Sequence, residues 1–226
     1  MGRTASLRSV FVAGTLALAL GSCGGDGGSE SADDRETSSP SASPTSDEPL
    51  VLWPAPDDPE ALASEAGVIF EVIEHLKYHI HAHLDVFVDG QPVEVPPGIG
   101  INIKDPAIIE FSGPLGPGYG GLKPPGCKQP CISELHTHDP DGVLHTESVT
   151  AEAHTLGQFF TEWDVALTEE CVADYCAPDT EIAFYVDGDP FEGDPETIEI
   201  ANHREIAVVI GTPPDEIPDS FNMPDM

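Results

Sequence analysis

Histidines at every second position mark two stretches of this chain as places where side chains could share a metal ion. In the run from Tyr78 through Gly90, alternation puts His79, His81, His83 and Asp85 on one face of a strand. Tyr78, Ile80, Ala82, Leu84, Val86 and Val88 take the other face, which is apolar and suited to a core. In residues 131–147, two alternating runs, 132–138 and 143–148, flank Asp139-Pro140-Asp141-Gly142, where Pro and Gly suit a tight turn. A hairpin closed there brings His136 and His138 on one arm to the same face as His145 and Glu147 on the other. Strand residues i and i+2 are about 7 Å apart and can reach one ion, while i and i+4, about 13 Å apart, cannot. The strand at 79–83 therefore supplies two ligands to one ion, and the hairpin supplies the rest.

These considerations select His81, His83, His136, His138 and His145 as metal ligands, with His79 and Glu147 as additional candidates. Neutral imidazoles with a carboxylate suit Zn, Cu(II) or Fe(II), and Met occurs only at positions 1, 223 and 226, which disfavours a thioether site for Cu(I). Three imidazoles with an open position would activate a water, for which Glu147 or Asp139 is the candidate catalytic base. The isolated His75, His154 and His203 read as ordinary polar residues. The chain has no nucleophile elbow, phosphate loop or dinucleotide fingerprint. Three function classes remain open: metal acquisition, buffering or sensing; a metal-dependent hydrolase or oxidoreductase; and a metal-free interaction module whose protein partner is not specified by the sequence.

The elements that position these residues occupy only part of the 226-residue chain. Arg3 and Arg8 precede an apolar run of about a dozen residues and then Gly21-Ser22-Cys23, the pattern of a lipoprotein signal peptide, 1–22, with Cys23 acylated. This predicts export and attachment to the outer face of the cell membrane through the lipid alone. Residues 23–49 are rich in Gly, Ser, Asp, Glu and Pro and read as a disordered tether. Residues 50–211 suit one domain, and 212–226 read as an extended or disordered tail. The formal net charge of −33 opposes nucleic acid and anionic lipid headgroups as partners and concentrates cations.

Assigning Cys23 to the anchor leaves Cys127, Cys131, Cys171 and Cys176, an even number that predicts two disulfides in an oxidising compartment. The pairing stays open, and a four-thiolate zinc site is the rival use. Asp57 to Leu76 holds a helix of unclear extent, interrupted by Gly67. The run at 113–130, with six Gly and five Pro, reads as a loop covering the His hairpin. Thr155 is an N-cap for a helix with Leu156, Phe159, Phe160 and Trp163 in one stripe. Strands follow at 181–188, 197–200 and 204–210. The order predicts an α+β fold: a mixed, mostly antiparallel, β-grasp-like sheet with one main covering helix and an N-terminal hairpin extension.

The motifs His81-Ala-His-Leu84 with Val88-Asp-Gly90, Leu135-His-Thr-His-Asp139 and Thr155-Leu-Gly-Gln-Phe-Phe160 resemble those of a group of exported bacterial and archaeal proteins that are largely uncharacterised. The similarity covers about residues 75–211 and implies no particular activity. Cys23→Ala should move the protein from the membrane to the soluble fraction of the host cell. Retention of the variant on the membrane would overturn the lipid anchor.

Overall fold

The computed structural model describes residues 49–222, so the signal segment, Cys23 and the tether, with the last four residues, lie outside the described residues. Helix α1, Pro59–Ala66, starts where Asp58 accepts a hydrogen bond from the Ala61 N–H, and Pro59 presets the first turn. It ends at Gly67, whose φ of 71° is the left-handed cap that glycine adopts without strain. The helix expected somewhere in 57–76 is therefore two turns long. The β-branched residues after it lead into a short strand, β1, Phe70–Glu71.

Strand β2, Tyr78–Val88, is the longest and turns at Asp89-Gly90, both at positive φ, into β3, Gln91–Val93. Strands β4, Ile108–Ser112, and β5, Pro117–Leu122, pair with each other, so the Gly/Pro-rich run forms part of a hairpin of its own. The short strands β6, Ile132–Ser133, and β7, Leu135–His136, precede β8, Val143–Ser148. After β9, His154–Thr155, comes helix α2, Leu156–Glu162, opened by a capping box in which Thr155 and Gln158 bond each other's backbone N–H groups. A small hairpin of β10, Cys171–Val172, and β11, Tyr175–Cys176, leads to β12, Ile182–Val186, and β13, Asp189–Phe191. The chain closes with β14, Glu199–Ile200, and β15, Glu205–Ile210.

The main sheet runs β13-β12-β15-β2-β8-β7, with β3 also on β2. Among the described strands of this sheet β15 and β2 pair in parallel, which brings together residues 122 positions apart at Glu205 and His83. The fold is α+β with a mostly antiparallel sheet, and its content is compatible with the β-grasp-like expectation. One face of β2, with Ala82, Leu84 and Val86, joins Leu156, Phe159, Phe160 and Trp163 in the main core. Trp163 is 1% exposed and donates from its indole N–H to the Trp53 carbonyl, so the stripe of α2 is core. Truncating one of these aromatics would cost about 3–5 kcal/mol.

The four cysteines form two local disulfides, Cys127–Cys131 and Cys171–Cys176. This settles the open pairing and leaves no set of four thiolates for zinc. The second bond joins directly opposed residues of the β10–β11 hairpin. The tail is extended but held: Ile217 packs on Phe87, Ala207 and Val209, and Phe221 stacks on His83 with 3.7 Å between ring centroids.

Helix α2 ends on a buried acid, Glu162, with no solvent exposure. Ser133 donates to its Oε1 at 2.7 Å, whereas Oε2 has no hydrogen-bond partner. Burial pushes its carboxyl up to about 8, the Ser133 bond opposing. The folded state therefore keeps a proton that the unfolded chain releases near 4.5. Between those values the native state binds more protons, so stability is full below about pH 4.5, falls as pH rises and levels off above about 8. Glu162→Gln should remove that slope and raise stability near pH 8, by on the order of a few kcal/mol relative to wild type. Urea midpoints at pH 5 and pH 8, with chelator present, measure it; parallel changes in the two proteins would refute a neutral Glu162.

Candidate metal centre

The site lies on the face of the sheet opposite α2, where β8 runs between β2 and β7. Register aligns its donors: His79 opposes Glu147, His81 opposes His145, and His145 opposes His136 on its other side. The expected hairpin is thus present but looser than a tight turn. Its arms pair only at Leu135–Thr146 and His136–His145, and then the first arm turns away. Thr137 and His138 leave because their backbones pair elsewhere, Thr137 N–H with the Ile99 carbonyl and the His138 carbonyl with Tyr119 N–H. That detour still returns the His138 ring to the site.

Backbone carbonyls hold two of the rings in one tautomer. His136 donates from Nδ1 to the Ser133 carbonyl at 2.8 Å, and His138 donates from Nδ1 to the Tyr119 carbonyl at 2.7 Å. Both Nε2 lone pairs then face inward, 3.2 Å apart. Two acceptors cannot bond each other, so a proton or a cation must lie between them. Glu147 Oε1 is the focus of the surrounding nitrogens: 3.1 Å from His79 Nε2, 3.6 Å from His145 Nδ1, 3.9 Å from His138 Nε2 and 4.0 Å from His136 Nε2. His79 and His81 meet through their own Nε2 atoms at 2.9 Å.

The electrostatics suit a cation. Burial works to raise the Glu147 carboxyl, but the His138 and His145 rings hold it far below the usual carboxylate range, so it is ionised. Burial, with repulsion from neighbouring rings, pulls His136 well below the ordinary imidazole value and His145 down to about 4, so both are neutral near pH 7. For His138 burial is outweighed by the Glu147 carboxylate and the Tyr119 carbonyl, and its pKa is raised. A cleft of about 570 Å³ opens onto the group, lined by His79, His81, His138, His145, Glu147 and Phe111 among others.

His83 departs from the expected ligand set. Its Nε2 donates to the Asp141 carbonyl at 2.8 Å and its Nδ1 meets the Glu205 carboxylate at 2.9 Å, so both nitrogens are occupied away from the other histidines. The parallel neighbour β15, rather than the hairpin, fixes its direction. The strand's contribution to the central group is His79 and His81 in place of His81 and His83. Asp139, a candidate base, lines the cleft but is not among its clustered donors. His75 lies 3.9 Å from Glu71, His154 is buried in β9, and His203 donates its backbone N–H to the His81 carbonyl; none of these rings belongs to the clustered donors.

Three contributors carried no signal in the sequence. Glu205 meets His83 only through the parallel pairing. Glu74 accepts from Gly121 N–H at 2.8 Å, and burial, with Glu147 nearby, raises its carboxyl. Gly120 matters through its lack of a side chain: a Cβ there would fall 1.9 Å from His138 Nδ1, in the space the ring needs. Gly120→Ala should displace His138 and break its bond to the Tyr119 carbonyl, weakening Zn(II) or Cu(II) binding by about 10–100-fold, the usual effect of losing a ligand's outer support. His203→Ala should leave affinity unchanged. Calorimetric titration of both variants decides it, and full affinity in Gly120→Ala would sink this account of the ring's support.

No protein-family model matches the chain, and no curated protein or solved structure does, so the functional reading rests on the site's own geometry.

Proposed function

We propose that this chain is a lipid-anchored protein of the cell envelope that binds a transition metal through its histidine cluster, serving metal acquisition, buffering or sensing. The observation that supports it most is the opposed pair of His136 and His138. Each ring is fixed by a carbonyl on its far nitrogen, the usual second partner of a metal-ligating histidine, and each aims a lone pair at the other. His145, Glu147 and His79 close the space around them. Nitrogen-rich donors with one carboxylate favour Zn(II), Cu(II) or Fe(II). The ionised Glu147 offsets part of the ion's charge in a partly buried place, and the chain's net charge of −33 raises the local concentration of cations. A tether between membrane and domain would hold the cleft at a distance from the lipid surface.

The test is metal content and uptake of the full mature chain, made without a histidine tag. Stoichiometric Zn, Cu or Fe, or tight uptake of Zn(II) or Cu(II) on titration, is expected. His136→Ala and His138→Ala should each weaken binding strongly, and the double variant should cost less than the sum, because residues of one network do not contribute independently. Affinity should fall as pH drops, first as His138, whose pKa is raised, takes a proton, and further toward about pH 4, where His145 does, since protons compete for the same lone pairs. A protein that neither carries nor takes up metal would leave the cluster as a hydrogen-bonded polar layer in an interaction module.

A further inference from the structure

The donor set is too large, and too divided, for one ion. Donor atoms within 4.8 Å of one another fall into two groups that share His145: His136, His138, His145 and Glu147 form one, and His79, His81 and His145 the other. Neither group contains both histidine pairs. The division follows from the sheet, in which β8 separates β2 from β7 and neighbouring strands stand about 4.8 Å apart. His79 and His81 therefore approach from one side of β8, and His136 and His138 from the other. The middle strand supplies the shared members. Glu147 Oε1 is 3.1 Å from His79 Nε2 and 3.9 Å from His138 Nε2, between the two pairs. His145 is opposed directly by His81 on one side and His136 on the other.

We infer that the site is binuclear, with one transition-metal ion held by His79 and His81, a second by His136 and His138, Glu147 between them as the shared ligand, and His145 on one of the two ions. The inference rests on the proposed metal-binding reading and deepens it. With Glu147 shared and His145 on one ion, one ion has three protein ligands and the other four, and the first keeps a position open toward the cleft, the arrangement of sites that bind small molecules. Two-metal sites commonly hold their ions about 3.5–4 Å apart, a separation that a carboxylate between them can span. Carboxylates are also at hand for the charge: Glu147 stands between the two histidine pairs, and Asp139 and Asp141 line the same cleft. The ions suited to this set are Cu(II) or Zn(II), each content with imidazole and a single carboxylate.

Copper and zinc titrations of the full mature chain, read by metal analysis after removal of loosely bound ions, should give two equivalents per chain. With copper, electron paramagnetic resonance should show two Cu(II) ions coupled to each other, with loss of the ordinary isolated Cu(II) signal. The double variants His79→Ala/His81→Ala and His136→Ala/His138→Ala should each retain one equivalent and restore the isolated signal. Glu205→Gln, which alters the separate His83, Asp85 and Glu205 group, should keep two. Thermal melts of each variant exclude unfolding as the cause of a loss. One equivalent in wild type overturns the binuclear site while leaving the metal-binding proposal standing, and no uptake overturns both. Two equivalents that fall to one in Glu205→Gln would place the second ion at His83, and two uncoupled Cu(II) signals would refute the shared Glu147.

Discussion

The strict alternation of Tyr78–Val88 is the constraint on which the rest of the structure depends. Because side chains on a strand change face at every residue, a slip of one position would turn Ala82, Leu84 and Val86 outward and drive three imidazoles into the aromatic core beneath α2. Neither consequence is tolerable, so the register of β2 is specified by its own sequence. Its neighbours then inherit that register. The pairing of His81 with His145 puts Glu147 opposite His79, and the pairing of His145 with His136 carries the row onto a third strand. One strand's pattern thereby organises donors from three segments.

A second consequence concerns the cost of the polar face. His81, His136 and Glu147 are each at most 5% exposed, and burying such groups without compensation is expensive. The fold offsets that cost in two ways. Backbone carbonyls from Ser133 and Tyr119 take one nitrogen of His136 and His138, and the rings crowd about one ionised carboxylate. What these bonds leave is the Nε2 atoms of His136 and His138 turned toward each other beside that carboxylate. Farther along the same face, His83 shows the self-contained alternative: Glu205 and Asp141 satisfy both its nitrogens, and Phe221 covers the ring.

What could be read in advance was local. The alternation of β2, the turn at Asp89-Gly90, the capping box of Thr155 and the stripe of α2 are encoded within a dozen residues each, and each appears where its pattern lies. So does the convergence of His136, His138, His145 and Glu147, whose parts sit on two arms joined by a short loop. What could not be read was long-range. No pattern near His83 announces Glu205, and a parallel pair lacks the connecting turn that betrays an antiparallel one. The structure places His83 with Asp85 and Glu205, apart from the central group, since spacing along a strand shows which residues share a face but not which neighbour claims each ring. The pairing of the cysteines was hidden similarly until strand register brought Cys171 opposite Cys176.

The Gly/Pro-rich run before the hairpin shows how a segment of low apparent information can carry the geometry of a site. Its two strands, β4 and β5, contribute little to the main core, yet they determine where His138 can go. Gly118 lets the edge of Phe111 lie against the backbone, and Gly120 makes room for the His138 ring. The Tyr119 carbonyl between those glycines accepts from the ring's Nδ1–H, while the Tyr119 N–H donates to the His138 carbonyl. A side chain at either glycine would push this strand away and break both bonds together. The glycines therefore let rings lie close against this strand, and that approach turns an imidazole at the end of a frayed hairpin arm into a fixed donor. Most of the clustered donors reside on the sheet, but the aim of His138 is set by a hairpin outside it.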